Sequence, residues 1–291
     1  MKRVSVRLAS VIASGPGRIG ASIMLVLALL TLMGLTLAGC AQSRSEKPTP
    51  DAARRFLKLR GYDFNDKSFL RAVTANDVGA VDGFLAAGIN PNLKDEESGT
   101  TALISAAAHD QADVVKVLLR GGADVNVKDM GGYNALLRAL EKKNDAIADL
   151  LLSQPGLEVN AQGFSGMTAL MWYVGSEQET TVQKLLERGA NPNLSDADGD
   201  TALHTAAMRG NVKLLQMLLA AGANPNARNK VGGTPLMWAG TFGHEAVAQI
   251  LIDKGADAAL KDDLGMTASA WAAKNKRDEF AQVLRAAEKK R

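Results

Sequence analysis

The chain has 291 residues, of which 46% are apolar and only 4% aromatic, enough for one large domain or a continuous array packed with small side chains. Lys and Arg number 34 against 31 Asp and Glu, but Lys2, Arg3, Arg7 and Arg18 all precede Cys40, where no acid occurs. The body beyond Cys40 is therefore near neutral, which leaves no electrostatic footprint for nucleic acid, and the single cysteine, Cys40, excludes an intramolecular disulfide.

In chain order, the first element is an address. Four basic residues lead into an uncharged apolar run, Ile19 to Leu37, which ends at Leu37-Ala38-Gly39-Cys40. A basic start, an apolar middle and small residues before a cut form the secretory signal pattern. Leu37–Cys40 resembles a bacterial lipobox. The resemblance implies cleavage before Cys40, acylation of Cys40, and membrane attachment by lipid rather than by a spanning helix. The run is also nearly long enough to span a bilayer, so an uncleaved anchor is the competing reading. Ala41, in place of Asp, resembles the pattern sorted to the outer membrane facing the periplasm. Residues 1–39 thus read as a signal peptide, and 40–53 as a lipidated cysteine with a flexible polar linker containing Pro48 and Pro50.

The folded part is expected over 54–291. Arg54–Arg60 reads as one extra helix with Phe56, Leu57 and Leu59 on its apolar side. After it, a short motif returns as Thr101-Ala102-Leu103, Asn134-Ala135-Leu136, Thr168-Ala169-Leu170, Thr201-Ala202-Leu203, Thr234-Pro235-Leu236 and Thr267-Ala268-Ser269. The steps are 33, 34, 33, 33 and 33 residues. A period of this size marks stacked units that cannot bury their apolar faces alone. In the unit at Asp196, Gly199 sits in a turn and Thr201 caps a first helix over Ala202–Arg209. Gly210-Asn211 makes a second turn, and a helix over Val212–Ala221 carries Val212, Leu215, Leu218 and Leu219 on one face. Gly222 is its C-terminal glycine.

These motifs, together with Gly122–Asn126, Gly189–Asn193, Gly222–Asn226 and Gly255–Asp257, resemble the ankyrin repeat. The resemblance implies an all-α fold: an ankyrin-repeat solenoid of about seven helix-turn-helix units with short hairpin turns. The units fall at about 66–94, 95–128, 129–162, 163–195, 196–228, 229–261 and 262–291. Single-residue insertions are expected near Asp95 and near Pro155, in loops.

No chemistry is legible. His109, His204 and His244 fall in three different units, which argues against a shared metal, and Gly131-Gly132 and Gly232-Gly233 are hairpin tips rather than phosphate cradles. Asp95-Glu96-Glu97 reads as a solvated loop. The expectation is no cofactor, no metal, no small-molecule substrate and no enzyme. The resemblance implies a protein partner, docked on a concave face of turn tips and first helices. Carried over by position, the contact candidates are Met130, Tyr133, Phe164, Met167, Met208, Arg209, Lys230, Phe242 and Met266, with Val231 and Leu264 also at tips. Tyr133, Phe164 and Phe242 fit partner contact and inter-unit packing equally, whereas Trp172, Trp238 and Trp271 are expected to pack between first helices. An immunity-type inhibitor of a toxin would use the same surface, and an enzyme or metal carrier is the remote alternative.

Overall fold

Each inner helix starts where a polar side chain can take up a free N–H of the first turn, and this sets the phase of the whole chain. In the computed structural model, which describes residues 48–289, Thr101 accepts from Ile104 N–H at 3.3 Å and Asn134 from Leu137 N–H at 2.9 Å. Thr168, Thr234 and Thr267 repeat the bond to Met171, Met237 and Ala270. The signal, lipobox and most of the expected linker lie outside the described residues.

Fifteen helices are described. The first, α1 (Pro50–Leu59), stands alone. Seven pairs follow: α2 (Asp66–Thr74) with α3 (Val78–Ala86), α4 (Ala102–Ala108) with α5 (Ala112–Arg120), α6 (Ala135–Glu141) with α7 (Asp145–Leu152), α8 (Ala169–Gly175) with α9 (Glu179–Glu187). The remaining pairs are α10 (Ala202–Arg209) with α11 (Val212–Ala220), α12 (Pro235–Phe242) with α13 (Glu245–Asp253), and α14 (Ala268–Lys274) with α15 (Asp278–Glu288). Among the described residues there is no extended strand. Only isolated bridges close two hairpins, Lys94 to Thr101 and Ser195 to Thr201. The first of these spans one residue more, which places the insertion near Asp95 inside the hairpin turn.

The second helix of each pair supplies the large apolar side chains, such as Val114, Val115 and Leu118, or Leu214, Leu215 and Leu218, all fully buried. The first helix supplies Ala106 and Ala107, or Ala206 and Ala207, which let neighbours approach closely. One continuous core results, running from Ala53 to Leu284. Five outer helices close with the same bond, from the N–H of Ile89, Ala123, Ala190, Ala223 or Ala256 back to a helix carbonyl five residues earlier. Beneath them runs an asparagine ladder. Asn193 Nδ2 donates to Gly222 O at 2.9 Å while its Oδ1 accepts from Asn224 N–H at 2.8 Å, and Asn126, Asn160 and Asn226 do the same one unit apart. Ala259 occupies the next rung, where no further glycine segment follows to receive a bond.

α1 starts at Pro50, earlier than the Arg54 expected, because Thr49 caps it and Pro50 occupies its first turn. Its Ala53 and Leu57 are buried against the stack. Gly83 permits the approach, since a Cβ there would sit 3.1 Å from the Phe56 ring. Among the described residues, no helix is long and apolar enough to cross a membrane.

Candidate functional site

The hairpin tips hold apolar side chains out in water, and the sequence explains how. In the tips of the last three units the first residue pins the turn by accepting two backbone N–H bonds. Asp196 Oδ1 takes those of Asp198 and Asp200, both at 2.9 Å. Asn229 takes those of Val231 and Gly233, and Asp262 those of Leu264 and Met266. Gly199, Gly232 and Gly265 complete the turns with φ of 82°, 73° and 73°. With the backbone pinned, the intervening side chains cannot fold inward. Val231 is 64% exposed and Leu264 74%; Met130 at 72% and Phe164 at 88% stand out from tips built differently, where Asp129 takes the Tyr133 N–H and Gly163 has no side chain to pin the turn.

Between the tips and the inner helices lie two grooves. One, of about 380 Å³, is lined by Val231 and Leu264 from the tips and by Met237, Trp238, Thr241 and Trp271 from α12 and α14. Trp271 is oriented by its Nε1–H, which donates to Asp262 Oδ2 at 2.7 Å. Trp238 has no such partner for its buried Nε1, because Asn229 stands where Asp262 does one unit later and turns its Nδ2 to Asp200. Phe242 stacks on Trp238 with ring centres 6.0 Å apart, and His244 stacks on Phe242 at 6.4 Å. The other groove, of about 580 Å³, brings Met167, Met171, Trp172, Met208 and Arg209 together with Lys143.

The family model described as ankyrin repeats (3 copies) matches this chain over residues 69–163, 158–229 and 221–291. The chain belongs to the ankyrin-repeat family. The crystal structure of the ankyrin repeat domain of Bcl-3, described as a unique member of the IkappaB protein family, superposes with a TM-score of 0.60 at 28% identity. The match covers 76% of this chain and 100% of that one. Among curated proteins no significant match is found. Ankyrin-repeat domains bind protein partners, and the fold is an interaction scaffold.

Within this ankyrin array, the contact candidates do not form one patch. Met167, Met208 and Arg209 share the larger groove. Lys230 adjoins Val231 at the rim of the smaller one, where Phe242 stacks behind Trp238. Met130 and Phe164 project from separate tips, and Met266 is half-buried. Tyr133 is also half-buried, under the Arg138 guanidinium at 4.1 Å. A Cβ at Gly163 would approach its ring to 2.7 Å, so the ring packs between two tips. The three tryptophans are half-buried: they pack on the core, and each also lines a groove. Met237 is a groove residue that the sequence does not single out; Thr241, nominally exposed on its first helix by position, lines the same smaller groove, and Trp238 and Trp271, expected only to pack, line it as well. The recurrence of tryptophan at 238 and 271, one unit apart, was the available signal.

The histidines serve backbone groups. His204 Nδ1 accepts from Thr201 N–H at 3.0 Å, which leaves the proton on Nε2, 3.2 Å from the Gly233 carbonyl in the next unit. Burial holds its pKa below the ordinary histidine value, against the opposing pull of Asp200. His244 Nε2 lies 3.0 Å from Met208 O, and His109 Nδ1 2.8 Å from Ser105 O.

Proposed function

We propose that this chain is a membrane-tethered protein-binding module of the bacterial periplasm. It docks one protein partner on the face of hairpin tips and inner helices, which serves as the concave face of the array. It recruits or holds that partner without carrying out a reaction. The observation that supports this most directly is the groove whose apolar walls, Val231 and Leu264, are pinned outward over Trp238 and Trp271. Exposed apolar groups gathered around aromatic anchors suit a protein surface. Attachment through Cys40 rests on the lipobox resemblance alone.

Val231→Glu combined with Leu264→Glu replaces two solvent-held side chains and leaves the core intact. Affinity capture with crosslinking, read by mass spectrometry, is expected to recover a partner with the parent chain and to lose it with the pair, at unchanged helical content. Equal recovery by both chains would show that the partner sits elsewhere. Cys40→Ala is expected to accumulate as an unprocessed, unlipidated precursor, and normal maturation of that variant would refute the anchor.

A further inference from the structure

The N-terminal helix carries a surface that protein docking at the tips does not use. Ala53 and Leu57 of α1 are buried on the stack. No unit precedes α1 in the array, so its opposite side has no covering element among the described residues. That side presents Arg54, Arg55 and Lys58, which fall in one stripe at helical spacing. Beside the stripe stand Leu59, 88% exposed, and Phe56, 41% exposed. Asp51 is the one acid on the helix. Arg60 is engaged elsewhere, paired with Asp77 at 2.8 Å and lying over the Phe56 ring at 5.4 Å, and Arg54, exposed like Arg55 and Lys58, also lies 4.7 Å over the Phe64 ring. An apolar side chain left fully in water beside three cations is an unusual end for a stack, which ordinarily closes with polar groups. It is the composition of a helix that lies in a lipid interface, with cations on headgroups and Leu and Phe in the acyl boundary.

We infer that the outer face of α1 docks on the surface of an anionic phospholipid bilayer. The charge on the stripe is complementary to anionic headgroups, and cations near such a surface act cumulatively. Chain length supplies the second argument, which rests on the proposed attachment at Cys40. Eight residues lie between Cys40 and Thr49, and extended chain over those nine steps reaches no more than about 32 Å. A lipid on Cys40 therefore holds α1 within that distance of the bilayer. Docking of α1 then replaces a single tether with two contacts and limits the orientations in which the array faces its partner.

The test uses the chain from Gln42 to Arg291, which keeps the whole core from Ala53 to Leu284 and lacks the acylation site. It is sedimented with vesicles of phosphatidylethanolamine and phosphatidylglycerol, and separately with phosphatidylcholine vesicles. Binding is expected to the anionic vesicles only and to weaken as salt rises. Arg54→Glu, Arg55→Glu and Lys58→Glu together are expected to weaken it roughly tenfold or more. Leu59→Asp alone is expected to weaken it by a smaller factor, while Lys276→Glu with Arg285→Glu at the far end leaves it unchanged. No binding to anionic vesicles, equal binding to neutral ones, or an unaffected triple variant at unchanged helical content would overturn the inference. Because this chain has no Cys40, such a failure leaves the anchor to be decided by the Cys40→Ala precursor alone.

Discussion

The junction between the third and fourth ankyrin units is built from different material than the one between the fifth and sixth. At the latter, backbone does most of the joining. Lys230 N–H donates to Asp198 O at 2.9 Å across the tips, and small Ala206 and Ala207 bring α10 close to α12. The same tip-to-tip bond runs from Met130 to Ser98, Ala197 to Ser165 and Asp263 to Val231. Among the described residues no such bond joins Phe164 to Gly131. There the Tyr133 ring packs against Gly163, and Tyr173 fills the helix position that Ala206 holds one unit on. The backbones of α6 and α8 approach one another less closely than those of the other neighbouring inner helices. On the outer side, Pro155 extends the turn after α7, and the helix-closing bond found in five other units is absent at Leu157. Arg188 reaches back from the next unit and donates to the carbonyls of Leu152 and Gln154. A repeat array can thus absorb an inserted residue and an oversized side chain, provided that neighbouring side chains take over the bonds the backbone gives up.

That contrast can be broken in three ways. The largest effect is expected at Tyr173, whose ring is fully buried and spans the wide junction. Tyr173→Ala is expected to cost about 3–5 kcal/mol by leaving an aromatic-sized void. Tyr173→Phe should change stability by no more than about 1 kcal/mol, because the buried hydroxyl has no hydrogen-bond partner to lose. Urea unfolding measures both, and a Tyr173→Ala loss no larger than that of Tyr173→Phe would mean the ring does not hold the units together.

The second break is made by acid at the tight junction. His204 folds neutral with its pKa lowered from the ordinary 6.5, so the unfolded chain binds the extra proton. Its contribution to stability is complete above about pH 6.5 and is lost as pH falls through the lowered folded value. Thermal unfolding from neutral to mildly acidic pH is expected to show the loss. His204→Met, which copies Met171 and Met237 at the equivalent positions, is expected to flatten that portion of the profile. A profile unchanged by the substitution would assign the acid sensitivity to other groups.

The smallest effect concerns Arg188. Its side chain is exposed, so Arg188→Ala is expected to cost about 1 kcal/mol. Deleting Pro155 should let the turn close like its neighbours and make Arg188→Ala neutral. A cost that persists in the deletion background would show that Arg188 does not compensate for the insertion.

Much of this was readable in the chain. The motif at Thr101, Asn134, Thr168, Thr201, Thr234 and Thr267 located every inner helix after the first unit, since one side chain both ends a turn and opens a helix. The insertions near Asp95 and Pro155 fell in loops, as the spacing required. Val231, Leu264 and Phe164 were legible as tip residues because a four-residue turn leaves its middle side chains nowhere to go. The start of α1 was not found, because Thr49-Pro50 lies within a stretch whose composition reads as linker. The grooves were also hidden, since Trp238 and Trp271 pack on the core with one side and line a surface with the other.

The amino-acid sequence determined the unit, its phase and the number of times it recurs, because caps, glycine turns and apolar spacing act over a few bonded neighbours. Only the tertiary structure decided how far apart two units stand and which side chains bridge them. That distance is set by the combined volume of residues a full repeat apart, such as Tyr133 against Gly163 or Arg188 against the end of α7, and no local pattern encodes it.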